Sequence, residues 1–511
     1  MSTRKKTFLL GAVLMSIVNL SMRTVSLYFS AFVLSRIGEE GVGLFTLLMN
    51  VFSFAVTLVS AGIGLAVTTS VAAELEGGAH TRQRRIVRAA LLYSGTLSAL
   101  AVLLLLLCRA PIASLLLGDT RAGAPLCILA FSLPAIALSS VFSGYFVAVR
   151  RVPVSAGVQV VTQLFKIFLT VLLLPKNASF SVEHSICRLC FASCISELVG
   201  VCLLFLFYLS LAPKGRERAC VGYRPLGALL SVTLPLAFSA YIRQALLTLE
   251  HSMIPKRLLK YGLNMEEALA HYGALHGMAL PLLLYPLSPL SSFSSLLVPE
   301  FAEMKSAEDR GRMGRIASRA LSYTLSYAAF ICVFLFVFSE ELSCLIYKSP
   351  DASVHLFVLA PIVPLMYLDH VTDAILKGIG EHVYSMWVNI TDSLLSIGLL
   401  YVLLPRLGIF GYAVVIVAME GYNFILSFLR LRRRVTLAIS PIRSFLLPML
   451  CALIAAYLTN QLFLLNGSTT TYPFFLCKGL FFLSVFAVLY MICGKKRKKG
   501  LGQYKIPRPL R

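Results

Sequence analysis

Residues 134–175 read PAIALSSVFSGYFVAVRRVPVSAGVQVVTQLFKIFLTVLLLP, and residues 364–405 read PLMYLDHVTDAILKGIGEHVYSMWVNITDSLLSIGLLYVLLP. Both stretches open on a proline and close on Leu-Leu-Pro, at an offset of 230 residues. At the same offset, RRIVRAALLYS at 84–94 matches GRIASRALSYT at 314–324. Apolar letters alone could match by chance, but loops and prolines match as well, which favours an internal duplication.

Composition places the chain in a membrane. Its 511 residues are 58% hydrophobic and 14% charged, with a mean hydropathy of +0.83, more apolar surface than soluble domains can bury. A helical span needs about 20 apolar residues, and the apolar runs predict 14 spans. The offset of the repeat equals six of these spans, so the second copy starts on the same side of the membrane as the first, as in parallel transporter repeats.

The predicted fold class is therefore an all-α integral membrane protein with two pseudo-symmetric six-helix lobes and two further helices. Substrate is expected between the lobes, with alternating access by rocking of one lobe against the other. The predicted domains are an N-terminal lobe at 1–212, a cytoplasmic linker at 213–225, a C-terminal lobe at 226–434, two additional helices at 435–494 and a basic cytoplasmic tail at 495–511.

The formal charge of +23 is concentrated on one side of the predicted topology. With the N-terminus inside, about 32 Lys and Arg residues fall on the cytoplasmic side, in segments such as HTRQRR, LRLRRR and GKKRKK. About 9 fall on the outer side. This bias predicts a multi-pass plasma-membrane protein with both termini in the cytoplasm. It favours attraction to anionic membrane lipids over binding of nucleic acid.

Sequence signatures of enzymes are missing. The chain contains no Walker A loop, no HExxH and no GxSxG segment, and we expect neither catalysis nor a bound cofactor. His184, Cys187, Cys190 and Cys194 could share one helical face, but small residues packing between helices explain them better than a metal site does.

Three blocks of sequence resemble a known family. The segments at 34–74 and 138–161 and HYGALHGMALPLLLYPLSPLSSFSSLLVPEFAE at 271–303 resemble the stage V sporulation protein B group of polysaccharide and oligosaccharide flippases, relatives of lipid II flippases and of multidrug and toxin extrusion transporters. The strongest blocks surround Gly41–Gly43, Gly144–Tyr145 and Tyr272–Pro281.

The resemblance implies movement of a lipid-linked oligosaccharide or a cell-wall precursor to the outer leaflet, driven by an ion gradient or the membrane potential. Cell-wall synthesis enzymes are then possible partners. A cation-coupled exporter of small drugs is the alternative within the same superfamily. The glutamate common in the family just before Gln163 is Thr162 here, and a basic residue near the outer end of the first span is absent at Tyr28 or Phe29, which leaves the cargo open.

Charged side chains inside predicted spans are candidate site residues, because each costs about 2.5–3.5 kcal/mol at mid-bilayer. Arg23, Lys166 and Arg243 are candidates for a cationic substrate cavity that would suit a pyrophosphate-linked saccharide. Ion pairs or carbonyl contacts within a lobe are the alternative for each.

Acidic residues are the candidates for coupling to Na+ or H+, since a carboxylate in low dielectric binds either more strongly. The alternative for each of them is that it pairs with Arg243 or Lys377 or merely lies near a helix end. The candidates are Glu250, Asp369, Asp373, Asp392 and Glu420.

Prolines inside or beside spans are candidate bends, because proline frees a carbonyl and kinks a helix. The paired placement of Pro134 and Pro364 favours a bend shared by both lobes.

Overall fold

A computed structural model of the protein describes residues 3–76, 80–175, 181–211, 225–464 and 472–500. Within these ranges the chain is almost wholly helical and contains no strand, which confirms the all-α class. In the described ranges, nine helices are long and apolar enough to cross a membrane, or eleven if each of two bent helix pairs is one span. The protein is a multi-pass membrane protein, and the number 14 stays a prediction.

The helices follow one another with short connections. In the first half they are α1 (Thr3–Ser60), α2 (Ile63–Glu76), α3 (His80–Leu107), α4 (Arg109–Pro111), α5 (Gly123–Ala130), α6 (Leu133–Ala148), α7 (Val152–Leu173), α8 (Val182–Leu211) and α9 (Pro225–Tyr261). In the second half they are α10 (Met265–Gly273), α11 (Leu280–Leu284), α12 (Leu287–Ser306), α13 (Arg310–Val337), α14 (Ser339–Tyr347), α15 (Pro350–Leu359), α16 (Val363–Gly378), α17 (His382–Arg434), α18 (Leu447–Leu464) and α19 (Tyr472–Gly500). Single π- or 3₁₀-helical turns lie at Ile112–Leu117, Thr120–Ala122, Ala274–Ala279, Ala360–Ile362 and Ile442–Leu446.

Two helices of more than 50 residues are each broken by a glycine. Gly38 in α1 has φ 71° and ψ 178°, and Gly408 in α17 has φ 59° and ψ −142°. Side chains other than glycine rarely adopt these angles, so the backbone turns there without a Cβ penalty. Gly38 lies between the predicted spans 8–35 and 43–73, and Gly408 is the first residue of the predicted span 408–431. Each long helix therefore contains two consecutive predicted spans that are joined at a kink.

The repeated outline of the sequence corresponds to a repeated local structure. Helices α6 and α16 are both 16 residues long, and Pro134 and Pro364 lie in their first turns. Proline is tolerated there because the first N–H groups of a helix have no partner inside it. Neither proline therefore interrupts the hydrogen bonding of its helix. The α5–α6 pair is bent by 43° just before Pro134, and a 3₁₀ turn precedes Pro364.

The chain forms two compact units. Unit one comprises Met1–Tyr28, Met278–Val388 and Ile416–Arg511, and unit two comprises Phe29–Gly277 and Asn389–Val415. These boundaries follow local packing and cross the predicted lobes, whose limits stay a prediction. Nearly all of the predicted linker at 213–225, and residues 501–511 of the predicted tail, lie outside the described residues.

Unit two is held by close contact between α2 and α6. A Cβ on Gly144 would lie 2.4 Å from the carbonyl oxygen of Gly64, and Thr68 donates a hydrogen bond to the carbonyl oxygen of Gly144 at 2.9 Å. Small residues allow such approach between membrane helices. Around this crossing, a core that includes Val67 and Phe146 is buried.

In unit one, the two C-terminal helices pack on α13. Phe338 and Phe482 are buried with Ala455 in a shared apolar core. Lys478 of α19, only 8% exposed in its side chain, pairs with Glu341 of α14 at 2.5 Å. A buried lysine is retained where a carboxylate compensates its charge, so this pair fixes α19 against α14.

Candidate functional site

Two of the family-like sequence blocks meet in unit two. A Cβ on Gly43 of α1 would lie 1.9 Å from the carbonyl oxygen of Leu269 in α10, and a Cβ on Gly273 would lie 2.4 Å from that of Glu39. At Gly277, a Cβ would lie 2.3 Å from a methyl group of Val42. The backbones of α1 and α10 therefore touch at Gly43 and Gly273, where only glycine fits, and Gly277 packs against the Val42 side chain.

Beside this contact lies a polar network of aromatic and histidine side chains. Tyr272 accepts a hydrogen bond from the Asn50 side-chain amide at 3.0 Å and bonds His251 Nδ1 at 3.0 Å. The ring of His276 lies 4.6 Å from that of His251, and its Nε2 bonds the Tyr412 hydroxyl at 2.8 Å. The network joins α1, α9, α10, the following π-helical turn and α17 within unit two.

Next in sequence to His251, Glu250 takes part in an acidic cluster. The Ser396 hydroxyl donates to Glu250 Oε1 at 2.5 Å, and Asp392, one turn earlier on α17, interacts electrostatically with Glu250. Two carboxylates and a hydroxyl offer oxygen ligands only, a set that suits a hard cation or a shared proton. Among the described residues, no three His, Cys, Asp or Glu side chains are placed to hold a metal ion together.

The other three predicted coupling acids lie in unit one. Asp373 pairs with Lys377 at 2.5 Å and accepts a hydrogen bond from Ser385, so it has the basic partner that was the alternative for it. Asp369 is half-buried one turn earlier on α16, and Glu420 is half-buried on α17. The five predicted acids thus do not form one cluster within either unit.

The three predicted cations are divided between the units. Arg23 of unit one is exposed, and its Nη1 donates to the carbonyl oxygen of Leu284 at 2.9 Å. Lys166 and Arg243 belong to unit two, where Arg243 is exposed and Lys166 is half-buried. Arg23 has the carbonyl contact that was its alternative to a shared cavity, whereas Lys166 interacts electrostatically with the Glu197 carboxylate. A common cationic cavity therefore stays a prediction.

A polar cavity of about 480 Å³ lies inside unit two, among α1, α6, α7 and α8. Eight of its twelve lining residues are polar and none is aromatic; the lining residues are Ser60, Ile136, Ser139, Ser140, Ser143, Val158, Gln159, Thr162, Gln163, Glu197, Gly200 and Leu204. Glu197 interacts electrostatically with Lys166. The family's glutamate is missing at Thr162, but the same cavity holds a carboxylate from α8 instead.

Sequence reasoning missed several of these residues. Glu197 is a charged residue in the middle of an apolar run, the same signal that selected Lys166, and the sequence allowed its selection. His251 and His276 lie in or near a quoted family block, yet no spacing rule connects them to Asn50 or Tyr412, which are more than 130 residues away from His276 or His251. Only folding brings these side chains together.

The fold and the match to a family model define the class of this protein. Residues 8–305 match the model of the polysaccharide biosynthesis protein family, and the chain belongs to that family. Among curated proteins, it is 28% identical over 420 residues to stage V sporulation protein B of Bacillus subtilis (strain 168), covering 81% of each chain. It is 20% identical to sporulation protein YkvU of the same organism, covering 78% of this chain and 88% of that one. The predicted resemblance is confirmed.

Solved structures share the fold. Lipid II flippase MurJ in an inward closed conformation matches with a TM-score of 0.72 and 15% identity, covering 94% of this chain and 99% of that one. A multidrug resistance MATE family transporter in an inward-facing conformation matches with a TM-score of 0.67 and 17% identity, covering 82% of this chain and 98% of that one.

Proposed function

We propose that the protein moves a lipid-linked oligosaccharide or a peptidoglycan-type precursor from the cytoplasmic to the outer leaflet by alternating access. The observation that carries the proposal is the polar cavity of unit two, in a chain of the polysaccharide biosynthesis protein family. The relatedness to stage V sporulation protein B and the fold shared with a lipid II flippase support it.

The lining of the cavity suits sugar hydroxyls. Serine and threonine hydroxyls and glutamine amides both donate and accept hydrogen bonds, and Glu197 accepts them. A site for aromatic cationic drugs would favour aromatic rings and net negative charge. The twelve lining residues contain no ring, and the one carboxylate has Lys166 nearby to balance it.

We propose that Glu250, Asp392 and Ser396 couple transport to a gradient of Na+ or H+. Oxygen ligands from two carboxylates and a hydroxyl would hold Na+, or the carboxylates would share a proton. The adjacent network of His251 and Tyr272 would sense the occupancy of this cluster through the backbone of α9. In this proposal the cell membrane is the location and both termini are cytoplasmic, as the distribution of Lys and Arg indicates.

A flipping assay tests the cargo. Purified protein in proteoliposomes is given a fluorescent lipid-linked saccharide, and the fraction reaching the other leaflet is measured over time. We expect Gln159→Ala with Gln163→Ala to slow flipping about tenfold, because two hydrogen-bonding amides are lost from the cavity. Gln461→Ala, on the exposed surface of α18, is the control and should flip normally. Equal rates for the double variant and the control would remove the cavity from the mechanism.

The same vesicles test coupling. With a sodium or a proton gradient imposed, one of the two should accelerate flipping by the wild type, and Glu250→Gln should abolish that response. Glu266→Gln, an exposed glutamate in the first turn of α10, is the matched control. Failure to flip any lipid-linked saccharide, together with gradient-driven export of a small organic cation, would support the alternative of a drug exporter, with which the likeness to MATE transporters is compatible.

A further inference from the structure

A basic pocket lies where three connections of unit one converge. The end of α12, the start of α13, the α16–α17 turn and the end of α17 line a solvent-open cavity of about 270 Å³. Its lining residues are Lys305, Arg310, Met313, Ile379, Glu381, Arg433, Arg434 and Val435. Four cationic side chains thus face one carboxylate, a formal excess of three positive charges.

Glu381, the one carboxylate among these lining residues, already forms ion pairs with two arginines. Glu381 Oε2 accepts hydrogen bonds from Arg430 Nη2 at 2.7 Å and Nε at 3.1 Å, while Oε1 accepts one from Arg434 Nε at 2.6 Å. The Arg430 guanidinium holds the pKa of the Glu381 carboxyl below its ordinary value. Both carboxylate oxygens therefore accept hydrogen bonds from these two arginines, which fix Glu381 in the lining of the pocket.

The remaining cations have no such partner. Within the described part of the chain, no carboxylate lies within ion-pair distance of Lys305, Arg310 or Arg433. A Cβ on Gly380, whose φ is +81°, would lie 2.7 Å from Lys305 Nζ, so the ammonium group lies close to the backbone of this turn. Arg310 begins the 28-residue helix α13, and the Asp309 carboxylate caps this helix by accepting a hydrogen bond from the Arg312 backbone N–H at 2.9 Å, so the cationic side chains supply the positive charge of the pocket.

We propose that this pocket binds a phosphate group, carried either by the headgroup of an anionic lipid or by a free phosphate or pyrophosphate. Arginine and lysine provide the charge-assisted hydrogen bonds that phosphate oxygens accept, and a phosphate would relieve the repulsion among cations held close together. All four cations are exposed to solvent, but they line one and the same cavity. Its volume is below the usual range for whole drug-sized ligands, roughly 300–1,000 Å³, and suits a phosphate or pyrophosphate.

Binding measurements on the full-length protein test this site without any transport. In phosphatidylcholine nanodiscs, titration calorimetry measures the affinity for inorganic pyrophosphate. In mixed micelles, native mass spectrometry measures retention of phosphatidylglycerol relative to phosphatidylcholine. Lys305→Gln with Arg433→Gln should weaken binding about tenfold or more, since two charge-assisted contacts are lost. Arg432→Gln, an exposed neighbour on α17 outside the pocket, should leave it unchanged.

The two arms identify the source of the phosphate. Pyrophosphate binding that the double variant loses would assign the site to free phosphates, and selective loss of retained phosphatidylglycerol would assign it to a lipid headgroup. If the double variant fails to fold, the exposed single change Lys305→Gln serves in its place. Equal binding of both ligands by the variant and by the Arg432→Gln control would overturn the proposal, and cargo flipping by the wild type plays no part in either result.

Discussion

Replacement of Gly43 by alanine should separate the two family-like blocks that meet in unit two. The added Cβ would lie 1.9 Å from the carbonyl oxygen of Leu269, and real Cβ contacts essentially never fall below 3.0 Å. The backbones of α1 and α10 must therefore move apart by more than 1 Å. Neither can yield by a side-chain rotation, because the opposing atoms are backbone.

The cost follows from this geometry. Overpacking of a well-packed interface costs about 1–3 kcal/mol, and a rigid backbone partner places Gly43→Ala in the upper half of that range. Alanine regains up to about 1 kcal/mol over glycine from helix propensity. We expect a net loss of about 2 kcal/mol in the free energy of unfolding.

Denaturant titration in mixed micelles measures this loss. Gly157→Ala is the matched control, because Gly157 is an exposed helical glycine of the same unit and a Cβ there would meet no atom within 4 Å. The control should be as stable as the wild type or slightly more so. Gly273→Ala should resemble Gly43→Ala, and the double variant should cost less than the sum, since one separation accommodates both methyl groups. If the Gly43→Ala variant were as stable as the control, this result would contradict the close backbone contact between α1 and α10.

Three further predictions concern charged and polar contacts. The arginine partners of Glu381 lower its pKa in the folded protein. The carboxylate of Glu381 should therefore stabilise the fold fully above the ordinary carboxyl pKa of about 4.3, and this stabilisation should be lost as pH falls through the lower folded pKa. Glu381→Gln should make the free energy of unfolding depend less on pH in that window. Lys166→Met should lower the unfolding midpoint by leaving Glu197 without its compensating charge, and adding Glu197→Gln should restore part of the loss; no restoration would show that the two charges are independent. Tyr412→Phe should cost about 1–2 kcal/mol in unfolding free energy because half-buried His276 loses its hydroxyl partner, and an unchanged midpoint would contradict that hydrogen bond.

The membrane class and the helical fold could be predicted from the sequence alone, and the sequence also indicated one local structure that occurs twice. Apolar runs of about 20 residues leave no alternative to membrane helices, because backbone groups in lipid must be satisfied within each segment. Pro134 and Pro364 occupy corresponding positions in the two repeated stretches of sequence. In the structure each lies in the first turn of a 16-residue helix. Only the backbone shows that each proline lies in the first turn of its helix, after a bend of 43° at Pro134 and after a 3₁₀ turn at Pro364.

Which charged residues meet was decided only by the tertiary structure. A carboxylate in a span signals importance, but its partner depends on the rotation and depth of neighbouring helices, which hydropathy does not encode. Glu250 meets Ser396, some 146 residues away, whereas Asp373 pairs with Lys377 one turn along its own helix. The sequence by itself determined that charged residues occur within the spans, and at which positions. Whether each one forms an ion pair, lines a cavity or joins a hydrogen-bonded cluster depends on helix packing, because such contacts act over a few ångströms between segments distant in sequence.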